Sequence, residues 1–283
     1  MYYIKINKTE LDILQLILHN TLSENEIAKE LNLSLSWTSE CVHYLEQIGF
    51  ICIDKKGISA YPRIVNNSFG NSLKRLLTEK GMLNLKATLA DSGLQILPLL
   101  LKPGYNYNDL SKRTGLTKRT IRNKLKDWKS MGLINLKKYP ERISLNERNP
   151  YLVQFLIEFC KTRNRLFLLQ KYPKAVIVWE WRDEFIFSIN KKISDNLFLD
   201  AGVTGLEKFS NELAHDSEYY YYSSYNKPLS LEEILTQTVK INPINPRPFR
   251  IIRNQIEHGN IDKKNLFTYA KKYDISKILK ERL

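Results

Sequence analysis

The sequence is poor in the residues that build disulfide frameworks and zinc sites. Only three of its 283 residues are cysteines, and none of them belongs to a CxxC pair. An odd number at wide spacing argues against both a disulfide framework and a zinc site. A reducing cytoplasm is therefore the compartment that we expect, with no metal and no cofactor. The three residues are Cys41, Cys52 and Cys160.

Long apolar runs and enzyme motifs are also missing. No stretch of 18 or more apolar residues occurs, so we predict no membrane span. The first eight residues, MYYIKINK, lack the apolar core of a signal peptide. The chain has no Walker loop, no HExxH helix, no nucleophile elbow and no Gly-Ser followed by paired acids. His215 and His258 each adjoin an acid, but adjacent side chains cannot point to the same face of a helix or strand, so we interpret both histidines as surface residues. We therefore predict that the protein is not an enzyme.

Positive charge is present in excess, and it is concentrated in one part of the chain. Of the net charge of +14, residues 84–172 contribute +12, because they hold 18 Lys and Arg against 6 Asp and Glu. Residues 1–83 are neutral, and residues 173–283 contribute +2. This distribution indicates a polyanionic partner that meets the middle of the chain.

The chain repeats its own pattern at an offset of 83 residues. Residues 11–51 overlie residues 94–134 without a gap. A repeat of this size indicates a repeated fold. Each copy predicts a helix, a turn, a second helix, a turn, a third helix, a Gly turn and a hairpin. Matched pairs include Leu11/Leu94, Ile13/Ile96, Leu14/Leu97, Asn25/Asn108, Lys29/Lys112, Leu33/Leu116, Gly49/Gly132 and Ile51/Ile134.

The first copy covers residues from about 8 to 64. Ser23 and Glu26 form the capping box that opens its second helix. Its third helix has no Lys or Arg on the outward face, whereas base reading and phosphate contact need donors and cations. We interpret this copy as a contact surface for a partner or another domain, and Lys55, Lys56 and Arg63 keep phosphate contact open as an alternative. The outward face comprises Leu35, Ser36, Ser39, Glu40, His43 and Glu46.

The second copy covers residues from about 89 to 146 and has a cationic third helix. Ile121, Leu125, Trp128 and Met131 recur at helical spacing and are predicted to point inward. A cationic helix face can simply be solvated. Here the helix-turn-helix context and the lack of cations on the equivalent first-copy face favour binding in a nucleic-acid groove.

Two sets of contacts are predicted on this second copy. The N-terminal part of a recognition helix meets base edges, and other cations contact phosphates. Base contacts are predicted for Arg119, Thr120, Arg122 and Asn123. Phosphate contacts are predicted for Thr117, Lys118, Lys126 and Lys129 and, around the hairpin turn Tyr139-Pro140, for Lys137, Lys138 and Arg142.

The segments Asp109–Ile121 and Leu125–Ile134 resemble the helix-turn-helix and the hairpin start of bacterial and archaeal winged-helix transcription regulators. The resemblance covers about 135 residues as two copies. It implies a winged-helix fold, DNA binding and, as is usual in that family, a homodimer on a palindrome, but no particular operator. Plasmid replication initiators also carry two winged helices, which gives an alternative function. Ala201–Leu206 and Tyr219–Tyr222 are similar to the C-terminal domain of AbiEi-type antitoxin repressors.

The remaining segments predict a helical linker, a long apolar helix and a C-terminal α+β domain. The helix from Pro150 to about Lys171 is either buried between domains or used for dimerisation. Further on, strands are predicted at 175–179, 184–189, 219–222 and 249–252, with helices at 231–237 and 264–279. By elimination, we expect this domain to bind a protein or a small-molecule effector.

The sequence thus predicts an α+β protein with two tandem winged helix-turn-helix domains and a smaller α+β C-terminal domain. The predicted function is sequence-specific binding of double-stranded DNA by a cytoplasmic, homodimeric transcription regulator. The alternatives are a replication initiator and a nucleic-acid enzyme with a catalytic C-terminal domain. The predicted boundaries are 1–65, 66–88, 89–148, 149–172 and 173–283.

Overall fold

The computed structural model describes residues 4–57, 59–79, 84–102, 104–137, 142–207, 209, 216–223 and 228–283. The protein is mixed α+β, and helix (54%) far exceeds strand (15%), because its sheets are small. The chain divides into two compact units, Met1–Phe167 (unit 1) and Leu168–Leu283 (unit 2). The division falls within a single long helix, and each unit is described by itself.

Unit 1 contains the element order of the repeat twice. The first copy runs α1 (Lys8–Ile17), α2 (Glu24–Glu30), α3 (Leu35–Gln47), β1 (Ile51–Lys56) and β2 (Ser59–Ile64). The link between the copies holds α4 (Ser68–Thr78) and α5 (Leu85–Leu89). The second copy runs α6 (Gly93–Leu100), α7 (Tyr107–Thr114), α8 (Lys118–Ser130), β3 (Ile134–Lys137) and β4 (Arg142–Leu145). The helix α9 (Pro150–Lys171) follows.

Short-range hydrogen bonds explain why both copies fold in the same way. Ser23 caps α2 and Asn106 caps α7, each with a reciprocal acid three residues later. The third helix of each copy ends before a glycine in the left-handed region, Gly49 at φ 76° and Gly132 at φ 69°. Other residues are strained there, so glycine ends the helix and turns the chain into the hairpin. The sequence-based predictions of these caps and hairpins are confirmed.

The two copies share one hydrophobic core. Buried side chains form a continuous cluster from the first residues of unit 1, through both copies, to α9. The link between the copies is attached to the first copy, where the Asp91 N–H donates to Ile6 O at 2.7 Å and Lys86 Nζ lies 2.6 Å from Asp12 Oδ1. It is attached to the second copy by bonds from α8. Unit 1 therefore packs as a whole rather than as two separate cores.

The helix α9 supplies apolar side chains to this same core. Leu152, Phe155, Leu156 and Phe159 are each at most 1% exposed. The Phe155 ring lies 5.7 Å from that of Phe69 in α4, measured between ring centroids. The sequence left open whether this helix is buried within the chain or used for dimerisation. Burial within the chain explains these four apolar residues without a second copy.

Unit 2 is an antiparallel four-stranded sheet combined with five short helices among its described residues. The strands lie in the order β5-β6-β8-β7, and β6 is buried along almost its whole length. Its elements are β5 (Val176–Trp181), β6 (Glu184–Ile189), β7 (Leu199–Asp200), α10 (Gly202–Leu206), β8 (Glu218–Tyr222), α11 (Leu231–Ile241), α12 (Arg247–Glu257), α13 (Lys263–Lys272) and α14 (Ser276–Arg282).

Two sequence-based predictions in unit 2 are wrong. The segment 249–252, predicted as a strand, lies in α12, because Pro248 is tolerated in a first helical turn and the buried Phe249 and Ile252 recur at helical spacing. The predicted helix 264–279 is two helices, because Asp274 between them has a positive φ of 55°. Short apolar runs do not distinguish strand from helix by periodicity alone.

A buried polar network connects the sheet of unit 2 to its helices. Lys272 Nζ lies 2.7 Å from Glu184 Oε2 and 2.7 Å from Glu233 Oε1, and it donates to Tyr221 Oη at 3.1 Å. The Tyr273 hydroxyl also donates to Glu233 Oε1, at 2.9 Å. The two carboxylates raise the pKa of Lys272 against the lowering effect of its burial. One ammonium thus contacts two buried carboxylates and balances one of their two negative charges.

We predict that Lys272→Met destabilises the protein by about 3–5 kcal/mol, because it leaves the buried Glu184 and Glu233 without their cation. Urea unfolding followed by tryptophan fluorescence measures the loss, since the Trp179 ring lies 4.5 Å from that of Tyr273. Lys277→Met is the matched control, because Lys277 forms an exposed pair that should contribute less than about 0.5 kcal/mol. Equal losses in the two variants would contradict the assignment.

Candidate nucleic-acid interface

The position of α8 is fixed by the turn that precedes it. Gly115 ends α7 in the left-handed region at φ 69°, and its N–H donates to Ser111 O at 2.9 Å. Thr117 is the N-cap of α8, and its hydroxyl accepts from the Thr120 N–H at 3.1 Å. The free N–H groups at a helix start need such an acceptor. The sequence therefore sets both where α8 begins and the direction in which it leaves the turn.

The inward side of α8 packs on the shared core. Ile121, Leu125 and Trp128 are each at most 1% exposed. The Trp128 indole also donates to Ala87 O of the link, at 3.4 Å. Because these side chains recur every three or four residues, burying them fixes which face of α8 is turned to solvent.

The outward side of α8 carries exposed cations. Within the part of the chain that the structure describes, none of these cations forms an ion pair with a carboxylate. The exposed acid on this helix is Asp127, so the local charge is strongly positive. The cations are Lys118, Arg119, Arg122, Lys126 and Lys129.

The four residues predicted to contact bases differ in how they are held. Arg119 and Asn123 are exposed. The Arg122 guanidinium lies 5.5 Å from the centre of the Tyr107 ring, so a cation–π contact orients it. The Thr120 hydroxyl lies 2.9 Å from that of Thr117, which already gives it one hydrogen-bond partner. The sequence pattern did not reveal that Tyr107 contacts Arg122, because the two residues lie in different helices.

Lys124 does not belong to the cationic face of α8. It is half-buried, and its Nζ donates to Ala90 O at 3.2 Å. Burial lowers its pKa, against the opposite effects of Asp91 and Asp127. At 100° per residue, Lys124 stands next to the Ile121–Leu125–Trp128 stripe, so a helical projection could have separated it from the other cations.

The hairpin after α8 adds two more exposed cations. Lys137 and Arg142 are directly opposite each other in the β3–β4 register, so both side chains project from one face of the ribbon. Lys138, predicted as a third phosphate contact, and the turn Tyr139-Pro140 lie outside the described residues.

The equivalent helix of the first copy presents a different surface. The exposed side of α3 carries acids and large apolar side chains, with Leu35 49% and Trp37 42% exposed. In its hairpin, Lys55 and Lys56 are exposed, whereas Arg63 pairs with Asp54 at 3.0 Å. The exposure of Trp37 was not anticipated from the sequence. The difference in charge between α3 and α8 is therefore a property of the folded surface as well as of the sequence.

No three His, Cys, Asp or Glu side chains among the described residues are grouped so that they could hold a metal ion. None of the helices in the described ranges combines the length and the hydrophobicity needed to cross a bilayer. Comparison with protein-family models, with curated proteins and with solved structures finds no match to this chain.

We predict that Thr117→Ala lowers the free energy of unfolding by about 1 kcal/mol, because the first turn of α8 loses its cap. Urea unfolding measures the change. Thr120→Ala is the matched control, since it removes a neighbouring hydroxyl that does not cap a backbone group, and we expect a change below about 0.5 kcal/mol. A loss no greater for Thr117→Ala than for the control would show that the cap contributes nothing.

Proposed function

We propose that this protein is a sequence-specific, double-stranded DNA-binding transcription regulator that reads the major groove with α8. The observation that supports this most strongly is the solvent-exposed cationic face of α8, which has no carboxylate partners among the described residues. Each copy of the repeat, with three helices and an antiparallel hairpin, has the element order of a winged helix-turn-helix. We interpret α7 and α8 as its helix-turn-helix and β3–β4 as its wing.

The electrostatics of this surface fit a duplex. Phosphates attract exposed cations, and binding releases the counterions condensed on DNA. Five exposed cations on α8 and two on the hairpin could together meet seven phosphates or base edges. If all seven neutralised phosphates, the slope of log K against log salt would be roughly −6. An apolar protein partner would strip water from these cations without replacing it by a counter-charge, which is unfavourable.

The arrangement of donors fits groove reading as well as phosphate attraction. Arg119, Arg122 and Asn123 lie in the N-terminal half of α8, the part of a recognition helix that meets base edges. Arginine donates a bidentate pair to guanine, and asparagine both donates to and accepts from adenine. Lys126 and Lys129, farther along the helix, are assigned to phosphates. The contact of Arg122 with the Tyr107 ring reduces the conformational entropy that Arg122 loses on binding.

The first copy has a different role in this proposal. Leu35, which is 49% exposed at the start of α3, is suited to a protein contact, and α3 has no Lys or Arg for phosphates. We infer that α3 contributes to the contact between two copies of the chain, which would place two α8 helices on one palindromic site. The cytoplasm remains the proposed location.

The sharpest test of base reading compares wild type with the Arg119→Ala/Arg122→Ala double variant. Selection of bound duplexes from a random pool gives the site, and fluorescence anisotropy then gives affinities for that site and for a scrambled duplex. We expect the wild type to prefer its site by at least about a thousandfold. The double variant should lose most of that preference, at about 1–3 kcal/mol per lost contact.

Two other results of that experiment would count against the proposal. Absence of any enriched sequence would contradict specific reading. Enrichment of directly repeated sites, together with melting of the bound duplex, would favour the replication initiator instead. Circular dichroism of the double variant serves as the folding control, because both arginines are exposed.

Phosphate contacts are tested by the dependence of affinity on salt. Lys126→Ala and Lys129→Ala should each make the salt slope shallower by about one unit and leave the sequence preference unchanged. Lys137→Ala/Arg142→Ala should do the same by about two units. The matched control is Lys55→Ala/Lys56→Ala, which removes two exposed cations from the equivalent hairpin of the first copy. An equal effect of the control pair would show that both copies meet DNA.

A further inference from the structure

A groove of about 640 Å³ lies between the two copies of the repeat, inside unit 1. One side comes from α3 and the other from the α6 start and the turn before α8. Trp37 and Tyr44 provide aromatic walls, and Leu116 faces them from the second copy. The Tyr44 ring is held in place, because its hydroxyl donates to Lys5 O at 2.6 Å. A volume of this size suits a small molecule.

The charge of this groove is opposite to that of the chain as a whole. Glu10, Glu40 and Asp91 line it, against Lys5 as its one cation among the described lining residues. Glu10 is buried and already accepts from the Asn7 N–H at 2.7 Å, within a capping box. Glu40 and Asp91 are exposed and supply the acidic character of the rim. In a protein with a net charge of +14, a local excess of acids selects for a cation.

A buried amide among the residues that line the groove is incompletely bonded. Gln95 is 6% exposed, and its Oε1 has no hydrogen-bond partner among the described residues. A buried acceptor without a donor destabilises the folded chain, because it has lost its bonds to water. Such an atom is uncommon in a native structure and calls for an explanation. Because Oε1 itself is shielded from solvent, a ligand N–H group would satisfy it once the Gln95 side chain turns toward the groove.

The aromatic walls of the groove also favour a cation as ligand. A cation over a Trp or Tyr ring is attracted by the ring quadrupole, and a planar group stacks on it. Trp37 is 42% exposed, so its ring is accessible. The acidic rim, the aromatic walls and the unbonded acceptor therefore agree on one ligand chemistry.

We propose that this groove binds a small planar organic cation whose N–H groups donate to Gln95 and whose charge faces Glu40 and Asp91. Thr120 belongs both to this groove and to the candidate nucleic-acid interface. A ligand here would therefore lie beside the start of α8. The proposal concerns the binding site itself and does not depend on what α8 binds.

Three probes of nearly equal shape test the preference for a cation. Benzamidine is positive, benzamide is neutral and benzoate is negative. Nuclear magnetic resonance titration of the full chain follows the indole N–H signals, and Trp37→Phe identifies the signal of Trp37. We expect saturable binding of benzamidine that shifts this signal. Benzamide should bind at least threefold more weakly, and benzoate at least tenfold more weakly.

Substitutions then locate the site. Gln95→Leu should weaken benzamidine binding about tenfold, while the fold should tolerate it because an unbonded buried acceptor is replaced by an apolar side chain. Glu40→Gln should weaken benzamidine about threefold and leave benzamide unchanged. Glu46→Gln is the matched control, because it removes the same charge from the same helix outside the groove, and it should have no effect.

Several results would overturn the proposal. These are absence of saturable benzamidine binding, equal binding of the three probes, and wild-type affinity in folded Gln95→Leu. Should Gln95→Leu fail to fold, the exposed Glu40→Lys variant decides instead, and undiminished benzamidine binding there would refute the site. Because duplex binding is measured separately, loss of either proposal leaves the other to stand on its own test.

Discussion

The packing of α8 against the core shared by the two copies is the constraint on which the surface of unit 1 depends. Ile121, Leu125 and Trp128 are buried, and each such side chain contributes about 1.5–3 kcal/mol. Exposed charges contribute far less, at most about 1 kcal/mol per pair. A rotation of α8 that hid Arg119 would also bury an unpaired cation. Apolar packing therefore determines where the cations point, and the cationic face is a consequence of the core.

The same scaffold carries two different surfaces because the repeat constrains inward positions and leaves outward ones free. Thr38, Val42 and Leu45 in α3 are buried as Ile121, Leu125 and Trp128 are in α8. Outside these positions the copies differ, because α3 carries acids and the exposed Trp37 whereas α8 carries lysine and arginine. The link between the copies bonds to both, through Ile6 O and from Trp128 Nε1 and Lys124 Nζ. The two copies thus differ in surface charge while they share one core.

Local signals in the sequence predicted local structure well and predicted contacts between elements poorly. The capping boxes at Ser23 and Asn106 and the glycine turns were readable, because each depends on residues within a few positions. The helix at 249–252 was not, since a four-residue segment with three apolar residues fits both periods and tertiary packing decided between them. The Tyr107–Arg122 contact and the groove at Gln95 join distant segments, so periodicity alone could not reveal them.

The acidic groove and the cationic face of α8 meet at Thr120, and their charges constrain each other. Phosphates attracted to Arg119 and Arg122 would be repelled by Asp91 and Glu40 wherever they came within a Debye length of about 8 Å. The acids would therefore confine a duplex to the outward side of α8 and its hairpin. If both proposals hold, a cation in the groove would weaken that repulsion. By linkage, duplex and ligand would then each raise the affinity for the other by the same factor.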